Sequence, residues 1–156
     1  MRGMSPVHAQ DLIRLIAAAN DHDLTDAELG ELNEKNQGWD RAVGIEYTAL
    51  GPKGATATVT VRDDHHQPVG LVNGGVYASI GESLGSLAGS AAAGSMVVGM
   101  NNSCDFFRSV REGVIEAVAR PVHLGRTTQL WQIDMTHEGR LVARDNLRTA
   151  VVPSRT

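Results

Sequence analysis

The chain has few aromatic side chains and no cluster of basic ones. Phe, Trp and Tyr make up 4% of its 156 residues, and the net charge is −4 with the 14 Lys and Arg residues scattered. Binding to nucleic acid needs a concentrated basic face, and single strands are also held by stacking of bases on aromatic rings. We therefore expect no nucleic-acid partner.

Cysteine and long apolar runs are also scarce. The single cysteine, Cys104, cannot form a disulfide within one chain, so the fold needs no oxidising compartment. No apolar stretch approaches the roughly 20 residues of a membrane-spanning helix, and the N-terminal residues do not resemble a secretory signal. We expect a cytoplasmic protein without a membrane partner.

Apolar periodicity divides the chain into a helical first part and a strand-rich remainder. Residues 8–36 have apolar side chains at helical spacing, which predicts two short helices, the second capped by Thr25. From Trp39 the period changes to two. The segment 43–50 and the alternating stretch 55–61 then predict a hairpin around the turn GPKG.

One long helix and four more strands follow. Residues 75–92 carry an apolar stripe at helical spacing, with many Gly and Ala residues that indicate close packing against a sheet. This element order predicts an α+β fold with a mostly antiparallel sheet of five or six strands. The four later strands are predicted at 96–102, 114–122, 128–136 and 141–152.

The predicted long helix carries one acidic residue on a face of small hydroxyl side chains. Ser79, Glu82 and Ser86 share one helical face, and no Lys or Arg accompanies them. Such a face can be a solvated stripe, as on any amphipathic helix. It can also place a carboxylate in a functional site, which the preceding Asn-Gly-Gly sequence favours.

That Asn-Gly-Gly sequence stands where a helix begins and backbone N–H groups lack partners. Asn73 can cap the helix, and the glycines can permit a tight turn. Because Gly74 and Gly75 have no side chains, a substrate carbonyl can also approach their N–H groups, which then act as an oxyanion hole. The two interpretations are compatible.

Other motifs are weaker evidence for a functional site. The stretch from Gly81 to Gly85 matches the G-x-S-x-G motif of α/β-hydrolases, but it falls inside the predicted helix instead of after a strand. Cys104 has no cation close in sequence, so we expect a buried, unreactive thiol. The pair His65-His66 lacks further ligands at metal-binding spacing. We expect no metal and no cofactor.

The stretch QPVGLVNGGVYASIGESLGSLAG resembles acyl-CoA thioesterases of the hotdog fold, of the phenylacetate-pathway and 4-hydroxybenzoyl-CoA types. Their signature is Gln-Pro-x-Gly, two residues, His-Gly-Gly, and an acid eight residues after the first of those glycines. Residues 106–152 are similar to the same family, especially to its 1,4-dihydroxy-2-naphthoyl-CoA thioesterase branch. The resemblance covers roughly residues 43–153.

This resemblance implies a hotdog fold, in which five or six antiparallel strands wrap around one long central helix. The hotdog thioesterase domain would span residues 39–156, after an N-terminal helical extension over residues 1–38. The family forms homodimers that pair edge to edge, often doubled into homotetramers, with active sites at the subunit interface. The substrate would be an acyl-CoA, hydrolysed to a free acid and coenzyme A without a further cofactor.

The resemblance also implies roles for individual residues. Glu82 would be the catalytic carboxylate, as general base or nucleophile, and the N–H of Gly74, with Gly75 beside it, would bind the oxyanion. Gln67 would align the thioester or the water, and Ser86 would hold the water beside Glu82. Contacts with the CoA phosphates, made from a neighbouring subunit, are implied for Arg108, Arg126 and Thr127.

The chain departs from the family signature at Asn73, where the family has histidine. An amide can donate a hydrogen bond or cap a helix, but it cannot take up a proton as imidazole does. If the histidine orients the substrate, Asn73 can replace it; if the histidine titrates, activity should fall. The alternative function is therefore an acyl-CoA-binding hotdog protein with little or no turnover. A hotdog hydratase is disfavoured, because its His-x-Pro-x-x-Pro-Gly segment is absent.

Overall fold

The computed structural model describes residues 6–153, and residues 6–8 through their backbone alone. This part of the chain folds into four α-helices and six strands. The helices are α1 (Pro6–Asp21), α2 (Asp26–Glu34), α3 (Gly38–Val43) and α4 (Gly74–Ala93). The strands are β1 (Ile45–Gly51), β2 (Gly54–Thr60), β3 (Val97–Phe106), β4 (Val114–Leu124), β5 (Thr128–His137) and β6 (Arg140–Val151).

The six strands form one antiparallel sheet in the order β1-β2-β4-β5-β6-β3, so β1 and β3 are its edges. Inward side chains alternate with outward ones, as on β5, where Trp131, Ile133 and Met135 are completely buried. Helix α4 contacts every strand of this sheet. A sheet wrapped around one long helix is the hotdog arrangement, and it confirms the predicted fold.

Glycines allow α4 to lie directly on the sheet. Gly81, Gly85 and Gly89 recur at every fourth position and face β5 and β6. A methyl group at Gly85 would come within 2.7 Å of Leu147, and one at Gly89 within 2.6 Å of Gln129. Larger side chains would push the helix off the sheet. The close packing predicted from the small residues of this helix is therefore confirmed.

The start of the sheet domain differs from the prediction. The period-two pattern from Trp39 is wrong for residues 39–43, which belong to α3. This short helix ends where Gly44 adopts the left-handed conformation (φ 78°). It is held in place by Asp40, whose Oδ2 accepts a hydrogen bond of 2.6 Å from the Tyr47 hydroxyl. Tertiary contacts thus override a weak local pattern.

The other predicted elements are confirmed with small shifts of boundary. Thr25 caps α2 and forms a capping box with Glu28, and β1 and β2 form the expected hairpin. β3 extends beyond its predicted end and includes Cys104, which is half-buried. Burial raises the pKa of that thiol to about 12, which favours the protonated form expected of an unreactive cysteine. Within residues 6–153 we find no helix with the length and hydropathy of a membrane span.

The N-terminal helices cover the side of α4 that the sheet leaves open. α1 packs along α4, and the amide of Asn20 donates a 2.7 Å hydrogen bond to the carbonyl of Ala91. α2 packs on β1, where the Asn33 side chain bonds both the N–H and the carbonyl of Tyr47 at 2.8 Å. The middle of α4 is therefore enclosed between the sheet and the helical extension.

Candidate active site

Glu82 lies in the middle of α4, with its carboxylate against edge strand β3. A methyl group at Gly99 of β3 would overlap a Glu82 carboxylate oxygen. Glycine at this position therefore leaves room for the carboxylate. One helical turn further on, the Ser86 hydroxyl lies 3.5 Å from Glu82 Oε1. That distance is at the limit of a hydrogen bond. The structure thus brings Glu82 and Ser86 together, as the helical spacing predicts.

Both residues line a cavity of about 360 Å³ between α4 and the N-terminal helices. A second carboxylate, Asp40, also lines it, but its two oxygens accept 2.6 Å hydrogen bonds from Ser83 and Tyr47. Glu82 has no such strong partner among the described residues; its carboxylate makes only the long contact with the Ser86 hydroxyl. Of the two acids, Glu82 is therefore the one free to act on a water molecule or a substrate.

The N-terminus of α4 offers one unoccupied N–H group. Asn73 is the N-cap, and its side-chain oxygen accepts a 2.8 Å hydrogen bond from the N–H of Gly75. The N–H of Gly74 makes no hydrogen bond within residues 6–153. A methyl group at Gly74 would lie 2.7 Å from the Phe106 ring, so the close approach of this ring requires glycine here. The geometry favours Gly74 over Gly75 as an oxyanion donor.

Gly74 shares a cleft with two other predicted residues, Gln67 and Arg108. Gln67 Oε1 accepts a 2.9 Å hydrogen bond from the N–H of Val69, which leaves the amide nitrogen to donate. Arg108 is exposed and uses one nitrogen to bind the carbonyl of Leu141 at 2.7 Å. This cleft therefore presents donors, whereas the cavity beside Glu82 presents an acceptor.

The predicted residues are therefore not gathered into one site within the chain. Glu82 and Gly74 are eight residues apart on one helix, which separates them by about 12 Å along its axis. Arg126 and Thr127 are exposed in the turn between β4 and β5 and line neither the cavity nor the cleft. Glu82 with Ser86 forms one group, and Gly74 with Gln67 and Arg108 forms another.

Sequence reasoning missed a buried acid beneath α4. Asp145 of β6 is completely buried, and neither of its carboxylate oxygens has a hydrogen-bond partner in the described part of the chain. It occupies the space that Gly81 leaves, since a methyl group there would overlap it. Burial raises the pKa of Asp145 to about 7; the nearby backbone N–H groups of Asn146 and Ser103 oppose this shift, and the charge of Glu82 adds to it. The signal was available, because period-two alternation places Asp145 inward beside Leu147.

Comparison with known proteins identifies the family. The sequence profile of the Thioesterase superfamily matches residues 69–143. A Mycobacterium tuberculosis protein named as an esterase is 41% identical over 116 residues, covering 70% of this chain and 83% of that protein. The chain belongs to the hotdog thioesterase superfamily. As a member it is a thioester hydrolase, which confirms the prediction of an enzyme.

Other relatives of this thioesterase agree with the assignment. The proofreading thioesterase EntH of Cronobacter turicensis is 42% identical over 113 residues, covering 70% of this chain and 82% of EntH. The solved structure of the M. tuberculosis protein has a TM-score of 0.74 at 40% identity, covering 76% of this chain and 98% of that one. The structure of the phenylacetic acid degradation protein PaaI of Thermus thermophilus has a TM-score of 0.69 at 28% identity. The match covers 73% of this chain and 98% of PaaI. The narrower 4-hydroxybenzoyl-CoA and dihydroxynaphthoyl-CoA branch stays a prediction.

Proposed function

We propose that this thioesterase hydrolyses acyl-CoA thioesters at a site built from two copies of the chain. Glu82 of one copy activates the attacking water, or attacks the thioester itself. The N–H of the partner's Gly74 binds the developing oxyanion, and the partner's Gln67 orients the thioester. The chemistry needs no metal or cofactor beyond the coenzyme A of the substrate.

The separation of Glu82 from Gly74 is the observation that supports a shared site. An oxyanion donor must lie within about 3 Å of the carbonyl oxygen, and a general base must reach the water that attacks the same carbonyl. Two groups about 12 Å apart along one helix cannot do both for a single thioester. A second copy that brings its own Gly74 to Glu82 removes this difficulty.

Edge strand β3 offers a way to bring the two groups together. Its Val98, Met100 and Phe106 side chains are 54%, 57% and 56% exposed, and an uncovered apolar edge is a liability for a soluble protein. Gly99, near one end of β3, contacts Glu82; Phe106, at the other end, contacts Gly74. Antiparallel pairing of two β3 strands would place each Glu82 beside the partner's Gly74.

The proposed reaction is a simple hydrolysis. Glu82 takes a proton from water held by Ser86 while the oxygen of that water attacks the thioester carbon. The tetrahedral oxyanion, bound by the partner's Gly74, collapses and breaks the carbon–sulfur bond. The thiolate of coenzyme A leaves and recovers the proton from Glu82. The exposed Arg108, Arg126 and Thr127 are proposed to bind the CoA phosphates.

Mixing two weakly active variants tests the shared site. Glu82→Gln removes the base and Gln67→Ala removes the orienting amide, so each variant alone is expected to be weak. After subunit exchange, half of the dimers are mixed, and each mixed dimer has one intact site. We expect thiol release from acyl-CoA to recover to about a quarter of the wild-type rate, the fraction set by random pairing.

The control mixes Glu82→Gln with a variant that carries both substitutions, in which no intact site can form. Exchange itself is verified by mass spectrometry of differently tagged chains. If exchange is complete and the rate of the first mixture does not rise above that of the control, the shared site is excluded.

Gly99→Ala tests the position of the carboxylate. The added methyl group overlaps the end of the Glu82 side chain, which can turn away at little cost to folding. We expect a fall in kcat of about tenfold or more, because small displacements of a catalytic group are costly, with the thermal midpoint nearly unchanged. Gly30→Ala in α2 is the matched control, since no atom lies within 4 Å of its new methyl group. Equal activity of both variants would contradict the placement of Glu82.

A further inference from the structure

We infer that the cavity beside Glu82 binds the acyl group of the substrate, that this group is an aliphatic chain, and that α1 forms the wall that selects it. This inference rests on the proposed function, because it names the substrate class of the same site. It goes further in giving the N-terminal helices a role in substrate choice.

The apolar part of the cavity lining is almost entirely aliphatic, and the lining comes largely from the N-terminal helices and α4. Its apolar residues include Leu12, Leu15, Ile16, Leu32, Leu87 and Met96. Tyr47 is the one aromatic residue among the described residues that line it, and its hydroxyl is bound to Asp40. No second ring is present in this lining to stack on an aryl group, so the surface suits a saturated chain.

Apart from Glu82, the charged side chains in the cavity wall are already paired. Lys35 forms ion pairs of 2.7 Å with Asp11 and 2.6 Å with Glu31, and Asp40 is held by two hydroxyl groups. A polar acyl group would have to compete with these contacts, whereas a hydrocarbon chain leaves them intact. The pairing therefore favours an apolar ligand.

The shape of the cavity fits a chain that extends from the reacting carbonyl. α4 lines it from Glu82 to Ser90, a distance of about 12 Å along the helix axis. The thioester carbonyl lies at the Glu82 end, and the chain runs along α4 towards Ser90 and Met96. The volume of about 360 Å³ is within the usual range of ligand cavities.

α1 lies outside the sheet and the long helix that define the basic fold. The M. tuberculosis structure is matched over 98% of its length by 76% of this chain, so about a quarter of the chain exceeds what that relative needs. Most of the described helical residues outside α4 belong to the three N-terminal helices. In α1, Ile16 is 3% exposed and lines the cavity, whereas Ile13 is 57% exposed. These two isoleucines provide a matched pair for a test.

The experiment measures thiol release from butanoyl-, hexanoyl-, octanoyl- and benzoyl-CoA, together with calorimetric Kd values for the corresponding non-hydrolysable S-alkyl-CoA thioethers. For the wild type we expect kcat/KM and affinity to rise about fourfold per added methylene until the cavity is full. Benzoyl-CoA should be a poorer substrate than octanoyl-CoA. A flat chain-length series, or a preference for benzoyl-CoA, overturns the inference.

Ile16→Phe should fill the cavity and lower the octanoyl-to-butanoyl ratio of kcat/KM at least tenfold, and Ile16→Ala should shift the optimum to longer chains. Ile13→Phe should change neither. Identical profiles for the position-13 and position-16 variants overturn the role of α1. If Ile16→Phe does not fold, as shown by its thermal midpoint, Ile16→Val takes its place beside the wild-type series.

Binding separates this inference from the proposed function. If no acyl-CoA is hydrolysed but thioether affinity rises with chain length and responds to Ile16, the aliphatic cavity stands and the hydrolysis proposal falls. If hydrolysis occurs without chain-length dependence in either measurement, the cavity assignment falls and the hydrolysis proposal stands.

Discussion

Glu82→Gln is expected to lower kcat for acyl-CoA hydrolysis by about 100-fold or more while leaving the fold and substrate affinity nearly unchanged. Glutamine has the shape of glutamate, but its amide cannot take a proton from water or attack a carbonyl. Removing a general base typically costs 10²- to 10⁴-fold. Thiol release measured across a panel of aryl- and fatty-acyl-CoAs, with wild type and variant side by side, gives the ratio directly.

Asp40→Asn is the matched control, because Asp40 is the other carboxylate that lines the same cavity. Its oxygens are occupied by Tyr47 and Ser83, so its loss should disturb the packing of α3 more than the chemistry. We expect a lower thermal midpoint and a fall in kcat of less than about tenfold, since no base is removed. Comparable losses in both variants would contradict the assignment of Glu82 as the particular base.

The same experiment decides between the enzyme and the acyl-CoA-binding alternative. A wild-type protein that binds acyl-CoA tightly in calorimetry without releasing thiol would be a binding protein. Asn73→His would then be the next variant, because it restores the titratable group of the family signature. In the structure the Asn73 side chain caps α4 through the N–H of Gly75, so this exchange also removes a cap.

Elements whose stability is local were predictable from the sequence. The apolar stripe and the Gly and Ala content of α4 predict both the helix and its close contact with the sheet, because spacing decides which residues face inward. α3 was not predictable in this way. Its six residues are held by Asp40 through bonds to Tyr47 and Ser83, and such contacts leave no periodic signal.

The candidate site was predictable in its parts and not in its assembly. Helical spacing places Ser86 beside Glu82, and the Asn-Gly-Gly sequence marks the helix start. The contact of Glu82 with Gly99 depends on which strand forms the sheet edge, and that follows from the whole topology. The cavity wall from α1 depends on how the extension docks, which periodicity does not specify.

A large effect on stability is expected at Asp145, the buried acid beneath α4. Its pKa in the folded protein is about 7, above the ordinary 3.8. The folded state therefore binds more protons than the unfolded state between about pH 4 and 7, so the free energy of unfolding falls as pH rises through this interval. Above about pH 7 the carboxylate is charged in both states, and the full cost of burying its charge lowers the free energy of unfolding. A pKa difference of about three units corresponds to a loss of at most about 4 kcal/mol in the free energy of unfolding.

Asp145→Asn keeps the shape of the side chain and removes the charge. At pH 8 we expect the free energy of unfolding of the variant to exceed that of the wild type by about 2 kcal/mol or more. The gain is smaller than the limit of about 4 kcal/mol, because the buried amide still lacks hydrogen-bond partners. At pH 4.5, where the folded wild type keeps the proton on Asp145, the variant should have lost this advantage. Urea unfolding at several pH values and one protein concentration measures it. Asp21→Asn, at a side chain 93% exposed, is the control and should show a small difference at every pH.

The charge of Glu82 contributes to the raised pKa of Asp145, so the two positions should be coupled. In a Glu82→Gln background the stabilisation from Asp145→Asn at pH 8 should be smaller than in the wild type, because one source of repulsion has gone. A double-mutant cycle of unfolding free energies measures this coupling. Additive effects would mean that burial alone raises the pKa of Asp145. A coupled result would show that Glu82 carries its charge next to a buried acid in the native fold, as its proposed role as a base requires.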